Sequence, residues 1–362
     1  MKKRIVVLGG YGNFGRRIST RLAADPAIEC VVAGRSEKRA RLLAEQLGAG
    51  ALTVDINSDS SLEAAVAGAF AVVNTCGPFD ARDYAVASEC ARRGVHYVDI
   101  ADSRAYVKGI TKLQAKAQRS GCMIVAGAGL VPAVTGMLAD ALASHFETID
   151  EVRAYLSLGG YIRGAAAMRG LLQTVGERMR YKENGQWRQA TGWSRPRSVR
   201  FPAPIGKRRL YLHDAPDLEL MPERYGAGNA SFYSDMQPRM LARAITLISW
   251  ARRAGWIKEP ARWAPTLLRL RRLLPAAAHL AHGGVGVCMR GAIGGAARTR
   301  YAYLIARDPS APAIACSPAI ALIKKWVHTG VPMSGASACV GIVSLEEVKA
   351  ELSGNDIVLV LS

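Results

Sequence analysis

The sequence is short of acidic residues, short of histidine, and without any apolar run long enough to cross a bilayer. Over 362 residues, 29 Asp and Glu face 48 Lys and Arg, a formal net charge of +19, and only 6 residues are His. Arg, Lys, His or Pro interrupts every hydrophobic stretch before the roughly 18 residues that a spanning helix needs. The seven cysteines (Cys30, Cys76, Cys90, Cys122, Cys288, Cys316 and Cys339) are odd in number, scattered and free of C-x-x-C spacing. Neither a disulfide framework nor a zinc site is indicated, so a reducing, cytoplasmic setting and no metal are expected. The opening MKKRIVVLGGYGNFG has the basic start of a secretory signal, but glycines break its apolar stretch and no small-residue cleavage site follows. It reads as a first strand. No internal repeat is present, which excludes solenoids and propellers.

What is present is globular in composition, with 50% hydrophobic and 21% charged residues. The length suggests two domains. Through the first 130 residues, short Val- and Ile-rich runs (4–8, 28–33, 71–75, 95–100, 122–126) alternate with stretches of helical period such as Phe14 to Ala24, Glu37 to Leu47 and Ser60 to Ala67. Continuous apolar strands are buried on both faces, which predicts a Rossmann-type, doubly wound parallel sheet. From about Phe146 the pattern changes to strand-like alternation, with an Asn184-Gly185 hairpin signal, basic helices over 239–256 and 261–274 broken at Pro260, and a late helix whose Ser344 and Glu347 form a capping box. The expected division is 1–130 for the nucleotide-binding domain and 131–340 for an α+β substrate domain.

Gly10-x-Gly12-x-x-Gly15 directly follows the first strand and opens a helix. Gly10 permits the tight turn, Gly12 lets backbone approach a pyrophosphate, and Gly15 lets helix and strand pack closely. Tyr11, Asn13 and Phe14 belong to the same turn, whose helix N-terminus favours an anion. About 20 residues further on, an NAD enzyme offers a carboxylate to the ribose. Here Arg35 and Ser36 stand instead, with Lys38 and Arg39 adjacent. A guanidinium suits a 2′-phosphate, so NADP(H) is the predicted cofactor, with a solvated surface arginine as the plain alternative. Asp55 and Ile56 at the third strand end, and Thr75, Cys76, Gly77 and Pro78 after the fourth, should line the same groove.

GGYGNFGRRI, AGRS, NTCGPF, YVDIADS and GAGLVPAVTGMLAD, in that order, resemble the saccharopine dehydrogenase (saccharopine reductase-like) family over residues 1 to about 140. The resemblance implies an NADP-binding domain, a homodimer formed through the 131–340 domain, a C-terminal segment 341–362 packing back on the first domain, and hydride transfer to an imine, or in other members to the C=C of a carrier-bound lipid. Fold alone does not fix which.

YVDIADS places Asp99 and Asp102 past the fifth strand, where a carboxyl group can hold a proton for reduction; capping of strand and helix is the competing reading. His213 is a further acid-base candidate, and Arg163, before a helix, a candidate for a substrate carboxylate. The leading expectation is an NADPH-dependent oxidoreductase acting on C=N or C=C of a small or carrier-bound anionic substrate. The alternative is a peripheral membrane or lipid-associated protein that keeps the nucleotide fold without turnover. It rests on twelve Arg and Lys within 239–300 against the single Glu259, with Trp250, Trp256 and Trp263 among them, and it places an anionic membrane surface at residues 250–275. Nucleic-acid binding is not expected, since the basic stretch lacks a recognised module and interleaved stacking aromatics.

Overall fold

The computed structural model describes residues 1–79, 84–157, 164–273, 282–307 and 310–362. They divide into two compact units, Met1–Ala133 with Ala315–Ser353, and Val134–Ile314 with Gly354–Ser362.

The first unit begins β1 (Lys3–Leu8), α1 (Gly15–Ala23), β2 (Ile28–Gly34), α2 (Glu37–Leu47), β3 (Gly50–Thr53), α3 (Asp59–Val66), β4 (Ala71–Asn74), α4 (Ala85–Arg93), β5 (His96–Asp99), α5 (Arg104–Gly109), α6 (Gln114–Arg119) and β6 (Met123–Ala126). β4 and β6 are buried throughout, and β1 from Ile5 and β2 from Cys30, as their apolar runs require. Pairing is parallel in the order β3-β2-β1-β4-β5-β6, the commonest arrangement of a dinucleotide-binding sheet. Local chemistry sets the helix ends. α2 starts where Ser36 Oγ accepts the Arg39 N–H, carries Glu37 in its first turn, and stops at Gly48, whose φ of 61° is left-handed.

The second unit contains α7 (Thr135–Ala143), β7 (Thr148–Ser157), α8 (Ala165–Thr174), β8 (Arg178–Glu183), β9 (Gln186–Thr191), β10 (Ser194–Arg200), β11 (Lys207–Leu212), α9 (Asp217–Tyr225), β12 (Asn229–Ser234), α10 (Arg239–Arg253), α11 (Ala264–Leu273), β13 (His282–Ile293) and β14 (Ala296–Arg307). Its mixed sheet runs β10-β11-β12-β7-β13-β14, with β8 and β9 branching from β12. The Asn184-Gly185 turn joins β8 to β9 as the sequence indicates. One layer packs α8, α10 and α11 on Trp193, which stacks on Tyr211 at 4.6 Å. Among the described residues no helix is long and apolar enough to cross a membrane.

The rest of the chain is α12 (Ala311–Thr329), β15 (Gly335–Ala338), α13 (Leu345–Leu352) and β16 (Ile357–Leu361). It is divided differently from the expected boundary at 340. The return to the first unit begins at Ala315: β15 adds a seventh parallel strand beside β6, and Glu351 holds both Arg21 (3.1 Å) and Lys324 (2.7 Å). The last strand does not join that unit, because the apolar IVLVL of β16 pairs antiparallel with β14. β3 stops at Thr53, so Asp55 and Ile56 lie in the loop beyond it.

Candidate cofactor site and active site

The glycine turn is built as the motif requires. Gly10 N–H donates to Ala33 O at 3.0 Å, and Gly12 N–H to Gly9 O at 2.7 Å. A Cβ on Gly15 would stand 2.1 Å from Gly9 O, and one on Gly10 2.7 Å from Val7 O, so neither position accepts a side chain. Tyr11, Asn13 and Phe14 complete the loop into α1, whose N-terminus receives no side-chain cap from Phe14. Such a helix end, approached through Gly12 backbone, suits a diphosphate.

At the end of β2, Tyr11 crosses to the second strand. Its hydroxyl oxygen accepts the Ser36 N–H at 2.8 Å, and the Arg39 guanidinium lies 4.5 Å over its ring. Gly34 makes room for that ring, since a Cβ there would come within 2.6 Å of it. A cleft of about 170 Å³ is lined by Tyr11, Arg16, Arg39, Leu42, Leu43 and Gln46. Arg35 is exposed, and its charge reaches Asp55, whose carboxyl is held below the usual range chiefly by hydrogen bonds from Asn57. Glu37 is turned away into an ion pair with Arg41 at 2.6 Å, so it does not neutralise this group. Ser36 Oγ accepts from Arg39 N, leaving its own hydrogen free to donate. Arg39, which the sequence offered only as background charge, is thus fixed beside the ring.

A second cleft, about 270 Å³, opens at the ends of β3, β4 and β5 and is lined by Ile56, Asn57, Asn74, Cys76, Phe79 and Tyr106, among others. Thr75 Oγ1 donates to Leu8 O at 2.8 Å and ties β4 to β1. Gly77 and Pro78 carry the chain away from it. Behind the wall lies a buried polar network. Asn74 Oδ1 accepts from Cys76 N (3.0 Å), and its Nδ2 donates to the Tyr97 hydroxyl (3.1 Å), which stands 3.2 Å from the Tyr106 hydroxyl. Asp99 is wholly buried. Its Oδ1 accepts the Ala101 N–H (2.9 Å) and the Gly127 N–H (2.8 Å), joining the end of β5 to that of β6. Oδ2 is sealed from solvent and makes no hydrogen bond of ordinary length. Burial pushes this carboxyl up to about 6, and the two backbone donors and the nearby Tyr97 and Tyr106 hydroxyls restrain the rise. Burial first, and then the Asp99 charge, keeps the Tyr106 phenol protonated far above neutral pH.

The predicted site residues therefore separate. Gly10, Tyr11, Gly12, Asn13, Phe14, Gly15, Arg35 and Ser36 gather along the ends of β1 and β2, and Ile56 and Cys76 line the second cleft. Asp99 cannot touch a substrate while it is wholly buried, and it acts on backbone; Asp102 is exposed in the loop that follows β5. His213 belongs to the second unit, where Nδ1 meets Ser234 Oγ at 2.8 Å among the rings of Trp193 and Phe232. Arg163 lies outside the described residues. Tyr106 was not anticipated, because nothing in its spacing distinguishes it from a core tyrosine. Among the described residues no group of three His, Cys, Asp or Glu could hold a metal.

Residues 5–125 match the family model described as Saccharopine dehydrogenase NADP binding domain. That stretch, about a third of the chain, is similar to the NADP-binding domain of that family. Its glycine cradle and arginine-bearing β2 end fit the phosphorylated dinucleotide. The whole chain has the fold of the apo saccharopine dehydrogenase (L-Glu forming) of Saccharomyces cerevisiae, with a TM-score of 0.69 over 99% of this chain and 100% of that one, at 16% identity. Two Mycobacterium tuberculosis proteins, from strains H37Rv and CDC 1551, each named "Putative trans-acting enoyl reductase", are 32% identical over 132 residues, 34% of this chain. The match spans 32% of the length of each of these relatives.

Proposed function

We propose that the chain is an NADPH-dependent reductase of C=N or C=C bonds in a small or carrier-bound anionic substrate. Gly10, Gly12, Gly15 and the start of α1 would hold the diphosphate, Arg35, Ser36 and Arg39 the 2′-phosphate, and Tyr11 the adenosine side of the groove. The bound nicotinamide supplies a hydride. The single observation that carries the chemistry is the buried Asn74, Tyr97, Tyr106 and Asp99 network behind the second cleft.

Hydride addition to C=N or C=C leaves negative charge on nitrogen or on the α-carbon, and a proton must arrive there. Tyr106, on the cleft wall and protonated at neutral pH, is the donor in this reading. Asp99 is a positioning residue: its charge adds to burial in keeping that phenol protonated, and it fixes the loop after β6. Asp102, exposed beyond β5, faces substrate-bearing solvent and is the competing donor. The +19 chain favours an anionic substrate by long-range attraction. The reading without turnover keeps the same nucleotide turn, so the two readings part only on hydride transfer.

The test is transfer of deuterium from labelled NADPH into product, followed by mass spectrometry. One set of reactions contains amino acids with oxo acids, the other enoyl thioesters. Label in a saturated product supports the proposal and names the bond class. NADPH binding without transfer in either set would remove it.

A further inference from the structure

We infer that the outer face of α10 and α11, in the second unit, docks on an anionic lipid surface. α10 is apolar on two opposite sides. Leu241, Ala242, Ile245 and Ser249 face inward and are buried. On the other side, at positions i, i+7 and i+10, Met240 is 65% exposed, Leu247 67% and Trp250 54%. The turn after the helix adds Trp256, 72% exposed, whose ring meets that of Trp250 edge-on at 4.9 Å. Trp263, in the turn just before α11, and Leu270, seven residues on within that helix, add two more apolar side chains, each 47% exposed. A solvated helix needs one apolar face, and among the described residues the second has no partner. Exposed apolar side chains grouped in this way and rimmed by charge mark an interaction surface.

Charge identifies the partner. Arg239, Arg243, Arg253, Lys258, Arg262 and Arg269 are all exposed around the strip. Glu259 is the one acid between 239 and 273, and Arg262 occupies it at 2.6 Å. Indole rings settle at the boundary between headgroups and acyl chains, and long basic side chains lie over the apolar surface with their heads among anionic phosphates. A second copy of the chain is a poor occupant, because a two-fold contact would press these six cations against the same six. Nucleic acid is poorer still, since Met240, Leu247 and Leu270 would meet a polar, charged surface. The sequence placed such a surface at 250–275. The structure carries it back to Met240, while 274 and 275 lie outside the described residues. The inference does not depend on the proposed chemistry, since it concerns the second unit alone.

The full chain is mixed with phosphatidylcholine vesicles with and without phosphatidylglycerol, and sedimented. Binding to the anionic vesicles only, a blue shift of indole emission, and release by high salt are expected. The double variant Trp256→Ser/Trp263→Ser and the triple variant Arg243→Glu/Arg253→Glu/Arg269→Glu should each lower partitioning by about tenfold or more, with melting followed by circular dichroism unchanged because all five side chains are exposed. Several outcomes overturn the inference: no vesicle binding, equal binding to neutral vesicles, or binding that both variants retain. A dimer that the tryptophan variant dissociates would make the face a contact between copies, and preferential retention of nucleic acid would make it a polyanion site.

Discussion

The hydroxyl oxygen of Tyr11 accepts the backbone N–H of Ser36 at 2.8 Å, so a residue inside the glycine turn of β1 is pinned to the start of α2. The bond spans the two strand ends between which an adenosine must lie. It also leaves the ring in place as a seat for Arg39. Tyr11→Phe removes the hydrogen bond and keeps the ring, and a loss of about 1 kcal/mol, near fivefold in NADPH affinity, is expected. Gly34→Ala should be worse, since its Cβ would stand 2.6 Å from the ring and displace it. Fluorescence titration of both variants checks the order.

Arg35 and Arg39 are expected to act on the phosphorylated cofactor alone. Replacing either by Ala should weaken NADPH about tenfold or more, the order of a charge-assisted hydrogen bond, and leave NADH nearly unchanged. Arg35 spends part of its charge on Asp55. Asp55→Asn should therefore strengthen NADPH binding slightly, and parallel titrations with the two dinucleotides at fixed salt decide it. Equal losses for both would disprove the assignment of the 2′-phosphate.

Two carboxyl groups, Asp99 and Asp217, are wholly buried and each pushed up to about 6 by loss of solvent. Asp217 opens α9, and a hydrogen bond with Thr135 only partly offsets its burial. Both pKa values exceed the unfolded value near 3.8, so the folded state binds more protons between about 4 and 6. Their contribution to stability is complete below the unfolded pKa and is lost as pH rises through 6, by on the order of 3 kcal/mol for each group. Asp217→Asn should flatten the fall between pH 4 and 7. The difference between wild-type and variant melting curves isolates it from the surface carboxylates, which act in the opposite sense.

The sequence made the nucleotide half legible because its signals are local. Gly10, Gly12 and Gly15 are spaced by the turn itself, and β1 from Ile5 and β2 from Cys30 are apolar runs. Arg35 could be identified by what it replaces. The wall of the second cleft was less legible, since Asn74, Tyr97, Asp99 and Tyr106 come from β4, β5 and α5 and meet only when parallel strands align. Asp99 was visible as a carboxylate at a strand end, yet burial, which decides its role, is a property of the packed sheet. The hairpin of β13 and β14 and the return of α12 to the first unit were missed for a related reason. Gly284 and Gly286 weaken the apparent strand pattern, and Gly286 is required only because Tyr303 packs over it, within 2.2 Å of where a Cβ would be.

Tyr106 and Asp102 can be told apart as proton donors. Tyr106→Phe keeps the ring that packs against Phe79 and Tyr84, so cofactor affinity should change little, and loss of the hydroxyl contact with Tyr97 should lower stability by only about 1 kcal/mol. If the phenol delivers the proton, kcat should fall about 10²-fold or more while KM moves less, as for loss of a general acid. Asp102→Asn should then leave kcat within a few fold. Asp99→Asn provides the third reading. An amide keeps the oxygen that accepts from Ala101 and Gly127 but removes the charge beside the phenol. Its turnover should persist, with loss of the pH dependence that a carboxyl titrating near 6 imposes on wild type. The opposite pattern, with Asp102→Asn inactive and Tyr106→Phe unimpaired, would move the acid to the exposed loop and leave the buried network a structural clamp.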